Sequence, residues 1–157
     1  MTQVITPLPT DPFSTEPKTS LQSFYDREAE LHQIQRAMSE GRKLILVLGV
    51  RRVGKTSLIR VALNQLDKPY IFVDLRALKT YEDRSLYSLL SEELNRITPF
   101  SKRIFQFLKR VRGISVGDGV VSLSLGRDRP SIISILKMLD SWAVADGFRL
   151  PIVLDEA

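Results

Sequence analysis

Apolar positions along this chain follow two rhythms: short continuous runs that suit buried strands, and a three-to-four-residue spacing that suits one face of a helix. Between Asp26 and Ser39, Leu31, Ile34 and Met38 keep the helical spacing among charged residues, and Gly41 offers a stop, so a short amphipathic helix is expected. Lys43 to Leu48 is almost continuously apolar and predicts a buried parallel strand. Leu58, Ile59, Ala62, Leu63 and Leu66 then share one face of a helix over Ser57 to Leu66, and Pro69 opens a second strand, Tyr70 to Leu75. Strand, helix and strand in this order predict a βαβ unit with a right-handed crossover.

The rhythm continues with helices over Arg84 to Ile97 and Ser101 to Val111, separated by Pro99. Alternating segments Ile114 to Val116 and Val121 to Leu125, joined through Gly117-Asp118-Gly119, predict a β-hairpin. Pro130 starts a helix that runs to Ala145, and Leu150 to Leu154 forms a third buried strand that ends in Asp155-Glu156. Strands alternating with helices place the chain in the α/β class.

Composition changes this picture little. The 157 residues suit one domain, and 43% hydrophobic with 26% charged residues is ordinary for a globular protein. The absence of cysteine excludes a disulfide framework and thiolate metal sites. Pro7, Pro9, Pro12 and Pro17 fall in 1–20, which is expected to be a flexible N-terminal tail, leaving 21–157 as the domain. Neither a signal peptide nor an apolar run of the ~18–20 residues that span a bilayer is apparent, so a cytoplasmic protein without a membrane partner is expected.

Charge is local. The net charge is +5, and Lys102, Arg103, Lys109, Arg110 and Arg112 lie between Glu93 and Asp118 with no acid among them. Lys102, Arg103, Lys109 and Arg110 share the polar side of the 101–111 helix, opposite Ile104, Phe107 and Leu108. That face is either solvated or a nucleic-acid contact.

The candidate chemistry begins at Gly49-Val50-Arg51-Arg52-Val53-Gly54-Lys55-Thr56, which matches G-x-x-x-x-G-K-[ST] between an expected strand and an expected helix. This is a phosphate-binding P-loop pattern: backbone N–H groups of a glycine-rich turn and of a helix N-terminus converge on a polyphosphate. Lys55 supplies a charge for the β and γ phosphates, and the Thr56 hydroxyl is suited to Mg²⁺. Arg51 and Arg52 could clamp phosphate oxygens, or one could pair with Asp74 at the end of the second strand. Val153-Leu154-Asp155-Glu156 resembles a Walker B strand end, where a fixed carboxylate orients the metal and a second one activates water.

The strings Gly49 to Leu58, Phe24 to Leu31 (F-Y-D-R-E-A-E-L) and Val153 to Ala157 together resemble the archaeal ATPase family, P-loop ATPases close to the AAA+ and STAND groups. The resemblance implies a three-layer P-loop NTPase (ASCE/AAA+-like) with helices flanking a parallel sheet, here carrying a β-hairpin insertion. It implies ATP and Mg²⁺ as ligands, and no N-K-x-D guanine-reading motif argues otherwise; Asn64-Gln65-Leu66-Asp67 has Gln where Lys is needed. Carried over by position, Lys55 contacts the terminal phosphates, Thr56 and Asp155 hold magnesium, Glu156 is the general base and Ser57 reaches the α-phosphate. Phe24 and Tyr25 either pack beside adenine or staple the first helix to the core while Asp26 caps it. The output of such a domain is Mg-dependent ATP hydrolysis, a nucleotide-dependent switch that acts through a homo-oligomer or a protein partner, or DNA binding as in origin-recognition relatives.

One departure stands out. The resembling ATPases order their sheet 5-1-4-3-2, so a strand that follows the Walker B strand in sequence fills the slot beside the P-loop strand. The sequence ends at Ala157, which predicts a sheet incomplete at the C-terminus unless further chain, dimerisation or strand rearrangement closes it. The chain alone is therefore expected to hydrolyse ATP poorly or not at all.

Overall fold

The computed structural model describes residues 17–20, 26–78, 83–97, 102–124 and 127–156, and places them in two units, Met1–Asp67 and Lys68–Ala157. Most of the expected tail, together with Phe24 and Tyr25, lies outside the described residues.

In the first unit, helix α1 (Glu28–Ser39) carries Glu28 and Glu30 in its first turn and Arg36 in its last, which complements the helix dipole. It stops as its glycine predicts. Gly41 adopts φ 69, its N–H donates to Met38 O at 3.0 Å, and Arg42 N–H donates to Ala37 O at 3.0 Å, the crossed pair of a Schellman motif. Leu31 and Ile34 of α1 pack on Leu58, Val61 and Ala62 of helix α2 (Lys55–Asn64), closing a small core. Before α1, Lys18 N–H donates to Ser57 Oγ at 3.0 Å, and Asn64 Nδ2 donates to Thr19 O at 2.9 Å.

The expected strand at Lys43 to Leu48 does not form. Residues 44–50 have no regular structure, and Leu44, Leu46 and Leu48 are 74%, 69% and 85% exposed. A strand is defined by a neighbour that takes its backbone hydrogen bonds, and the ladders among the described residues are made by other segments. Only Val47 of this stretch packs against the α1–α2 core. The βαβ unit expected here is accordingly absent.

The second unit contains β1 (Ile71–Asp74), a 3₁₀ turn over Leu75–Ala77, α3 (Asp83–Ile97), α4 (Lys102–Leu108), β2 (Ile114–Gly117), β3 (Val120–Leu123), α5 (Ile132–Ala145) and β4 (Ile152–Asp155). β1 and β4 pair in parallel with Ile71 opposite Ile152 and Asp74 opposite Asp155, so both strand ends present a carboxylate. The two strands expected to be neighbours in the 5-1-4-3-2 order are thus paired. The hairpin forms as its sequence predicts: β2 and β3 pair antiparallel, and Asp118 (φ 49) with Gly119 (φ 79) supply the two positive φ angles that a tight two-residue turn requires. The fold is mixed α/β with a small parallel sheet and helices.

The core of this unit gathers Ile135, Leu139 and Trp142 of α5, Leu94 and Ile97 of α3, and Ile71 and Val73 of β1 in one buried cluster. The outer edge of β1 is blocked, because Phe72 N–H donates to Glu93 Oε2 at 2.7 Å and Glu93 is in turn paired with Arg96 at 2.8 Å. Asn95 locks α3 to the hairpin. Its Nδ2 donates to Val121 O at 2.9 Å and its Oδ1 accepts from Val121 N–H at 2.8 Å, at a residue only 1% exposed. Asn95→Ala strands both groups, and a loss of about 1–3 kcal/mol is expected in urea unfolding; an unchanged midpoint would show that water replaces the amide.

Candidate functional site

The 49–56 loop is shaped by two left-handed residues. Arg52 has φ 68 and Gly54, the N-cap of α2, has φ 81; a Cβ is strained at either, and only at Gly54 does the chain avoid it. At Gly49 a Cβ would meet Val53 Cγ2 at 3.4 Å and Lys55 Cδ at 3.7 Å, ordinary contact distances, so the requirement for glycine is at Gly54. Gly54 offers no side-chain cap, and the first turn of α2 holds no acid. The positive end of the helix therefore faces the loop without an anion from its own sequence.

Lys55 folds back over this loop. Its Nζ donates to Gly49 O at 3.1 Å and to Val50 O at 3.0 Å, so the ammonium already sits across the loop mouth, on acceptors that a stronger anionic acceptor can replace. Ser57 accepts the Lys18 N–H and keeps its own hydroxyl proton for donation. Thr56 stands in the first turn of α2 beside Lys55. Arg51 and Arg52 are exposed. Asn64, in the segment that lacks a guanine-reading lysine, spends its side-chain amide on Thr19.

The expected cap at Asp26 is not what the structure shows. Asp26 adopts φ 63, Arg27 is the N-cap of α1, and no side chain caps that helix. Arg27 instead reaches the loop: Nη1 donates to Val53 O at 2.6 Å while Nε donates to Glu30 Oε1 at 3.1 Å. Glu30 is held below the usual carboxylate range by a backbone hydrogen bond and then by the Arg27 guanidinium.

In the second unit the two acids at the end of β4 differ sharply. Asp155 is buried, at 6% exposure, whereas Glu156 is exposed and adopts φ 58, a conformation that turns it out of the strand line. Arg76 binds both neighbouring chain ends. Its Nε and Nη2 donate to Asp74 Oδ1 and Oδ2 at 3.0 and 2.8 Å, and its Nη1 lies 3.8 Å from Glu156 Oε1. Asp74 thus has a forked arginine partner from its own unit, and hydrogen bonding to Asp74 raises the Arg76 pKa above its ordinary value. No cluster of three or more metal-type side chains occurs among the described residues. Thr56 in the first unit and Asp155 in the second each carry a hard oxygen, the donor type that Mg²⁺ takes.

A sequence model of a family described as an ATPase domain predominantly from Archaea matches residues 24–126 of the 157. The chain belongs to this family. The match of the archaeal-type ATPase covers α1, the 49–56 loop and the hairpin, and ends before Asp155 and Glu156. No curated protein matches the chain. No helix among the described residues is long and apolar enough to cross a membrane.

Arg27 and Arg76 are the residues of this archaeal-type ATPase whose part sequence reading left unassigned. Arg27 stands inside the F-Y-D-R-E string, and its position at the start of an amphipathic helix, where a short polar cap is normal, was the available signal. Arg76 had no comparable signal.

The basic stretch is partly neutralised. Arg103 pairs with Asp146 at 3.2 Å, Arg112 with Asp128 at 2.5 Å, and the Arg110 guanidinium lies 5.3 Å from the centre of the Phe107 ring. Lys109 and Arg110 are exposed, and the Lys102 side chain is outside the described residues.

Proposed function

We propose that this archaeal-type ATPase binds Mg-ATP on the 49–56 loop and, in the intact protein, hydrolyses it. The observation that carries the reading is the loop itself: left-handed Gly54 heads an uncapped, acid-free helix end, and Lys55 lies across the loop on two carbonyls. Backbone groups of Gly49, Val50, Arg51, Arg52, Val53 and Gly54 cradle the phosphates, Lys55 moves from its carbonyls to the terminal phosphates, and Ser57 donates to the α-phosphate. Thr56 would offer its hydroxyl and Asp155 its carboxylate to magnesium, which would supply positive charge against the phosphates. Burial suits Asp155 to a fixed role, and exposure suits Glu156 to meet water. Glu156 accepts the proton of a water molecule as its oxygen bonds to the γ-phosphorus and the bond to the β-bridging oxygen breaks, giving ADP and phosphate. Within P-loop ATPases the AAA+ and STAND groups, with their three-layer sheets, are the proposed placement, and Tyr25 beside adenine belongs to the same proposal.

A nucleotide-dependent switch in a homo-oligomer or with a protein partner uses the same loop and differs only in output. Nucleic-acid binding through Lys102, Arg103, Lys109 and Arg110 has less support, since Arg103 is already paired with Asp146. Titration with a fluorescent ATP analogue tests the central reading. Saturable, Mg-dependent binding displaced by ATP but not by equal GTP is expected; no saturable binding up to about 1 mM nucleotide would overturn it.

A further inference from the structure

A helix N-cap normally carries Ser, Thr, Asp or Asn, whose side chain accepts a first-turn N–H. At α1 the chain places Arg27 there, next to the positive end of the helix dipole, where a cation is unfavourable, and leaves the helix without a side-chain cap. Asp26 before it takes a left-handed conformation, φ 63, which a non-glycine residue adopts at a cost. Both choices go against the local stability of α1. What they achieve is the contact of Arg27 Nη1 with Val53 O at 2.6 Å, supported by Glu30, whose carboxylate accepts from Nε at 3.1 Å.

Val53 lies between left-handed Arg52 and Gly54. Its carbonyl belongs to the peptide unit whose N–H is that of Gly54, and in a planar trans peptide those two groups point in opposite directions. Holding the Val53 oxygen therefore sets the direction of the Gly54 N–H. The guanidinium also lies close to Gly54 itself: a Cβ there would meet Arg27 Nη1 at 3.7 Å.

We infer that Arg27 is a positioning residue of the nucleotide site, an arginine that grips the Val53 carbonyl so that the Gly54 N–H is aimed for phosphate, with Glu30 holding the arginine in place. The inference rests on the proposed ATP-binding role of the loop. It assigns to the residue pair Arg27 and Glu30 a share of the affinity for di- and triphosphates without direct contact with them.

Substitutions at the two positions separate this from a structural role. Arg27→Ser provides a better N-cap, so the unfolding midpoint is expected to stay or rise while ATP and ADP affinity falls about tenfold, the worth of a charge-assisted hydrogen bond. Unchanged affinity, or affinity and midpoint falling together, would overturn the inference. Glu30→Gln removes a negative charge beside the loop. A charge effect alone would tighten binding of the anionic nucleotide, whereas loss of positioning weakens it several-fold with Arg27 intact; tightening counts against the inference. Hydrogen exchange at the Gly54 amide is the readout that needs no nucleotide. Faster exchange in Arg27→Ser supports the grip and an unchanged rate refutes it, even if the wild-type chain binds no ATP and the functional reading itself falls.

Discussion

Glu156→Gln in the intact protein is expected to lower steady-state ATP turnover by about 10²- to 10⁴-fold while leaving ATP affinity within about twofold. The two side chains are nearly the same shape, but an amide accepts no proton, so the substitution removes general-base chemistry and little else. The residue sits just beyond β4, exposed and turned out by its φ of 58, while the preceding Asp155 is buried. Arg76, 3.8 Å from the Glu156 carboxylate, adds a charged neighbour that Gln would keep only as a weak acceptor. Phosphate release under saturating ATP, with affinity measured separately, checks the claim. Equal turnover in the variant removes Glu156 from the role of base; a collapse of affinity together with turnover would point to metal or nucleotide binding instead.

Lys55→Ala is expected to weaken ATP binding roughly ten- to hundred-fold, because a hydrogen bond to a charged group contributes about 1.5–3 kcal/mol. Its Nζ bonds to Gly49 O and Val50 O, so binding exchanges two neutral acceptors for an anionic one, and the difference between them is what the substitution removes. Calorimetric titration of ATP, paired with the unfolding midpoint, measures it. A midpoint near wild type with unchanged affinity would place the phosphate contact elsewhere, whereas a large fall in midpoint would show that the lysine mainly braces the loop.

These two residues could be singled out from a linear motif because the motif is local: each proposed role follows from a residue's place within a few positions of a turn. The same holds for the α1 stop at Gly41, the Asp118-Gly119 turn and the amphipathic faces of α3 and α5, where short-range backbone geometry and apolar spacing are enough. The run at Lys43 to Leu48 shows the limit. Its apolar character is plain in the sequence, yet the hydrogen-bonding neighbour it needs would have to come from another strand, and no such ladder occurs among the described residues. Composition can say that a segment wants burial; it cannot supply the partner that makes a strand.

Arg27 and Arg76 mark the other limit. Each binds a group that becomes a neighbour only after the chain has folded: the Val53 carbonyl for Arg27, the Glu156 carboxylate for Arg76. Sequence alone was enough for the α/β class, the order of most elements, the phosphate loop pattern and the acid pair at the end of the last strand, since all of these depend on short-range spacing. The parallel pairing that puts Asp74 opposite Asp155, the burial that divides Asp155 from Glu156, and the arginine that grips the loop came from the folded chain, because hydrogen bonds and desolvation depend on which distant residues meet.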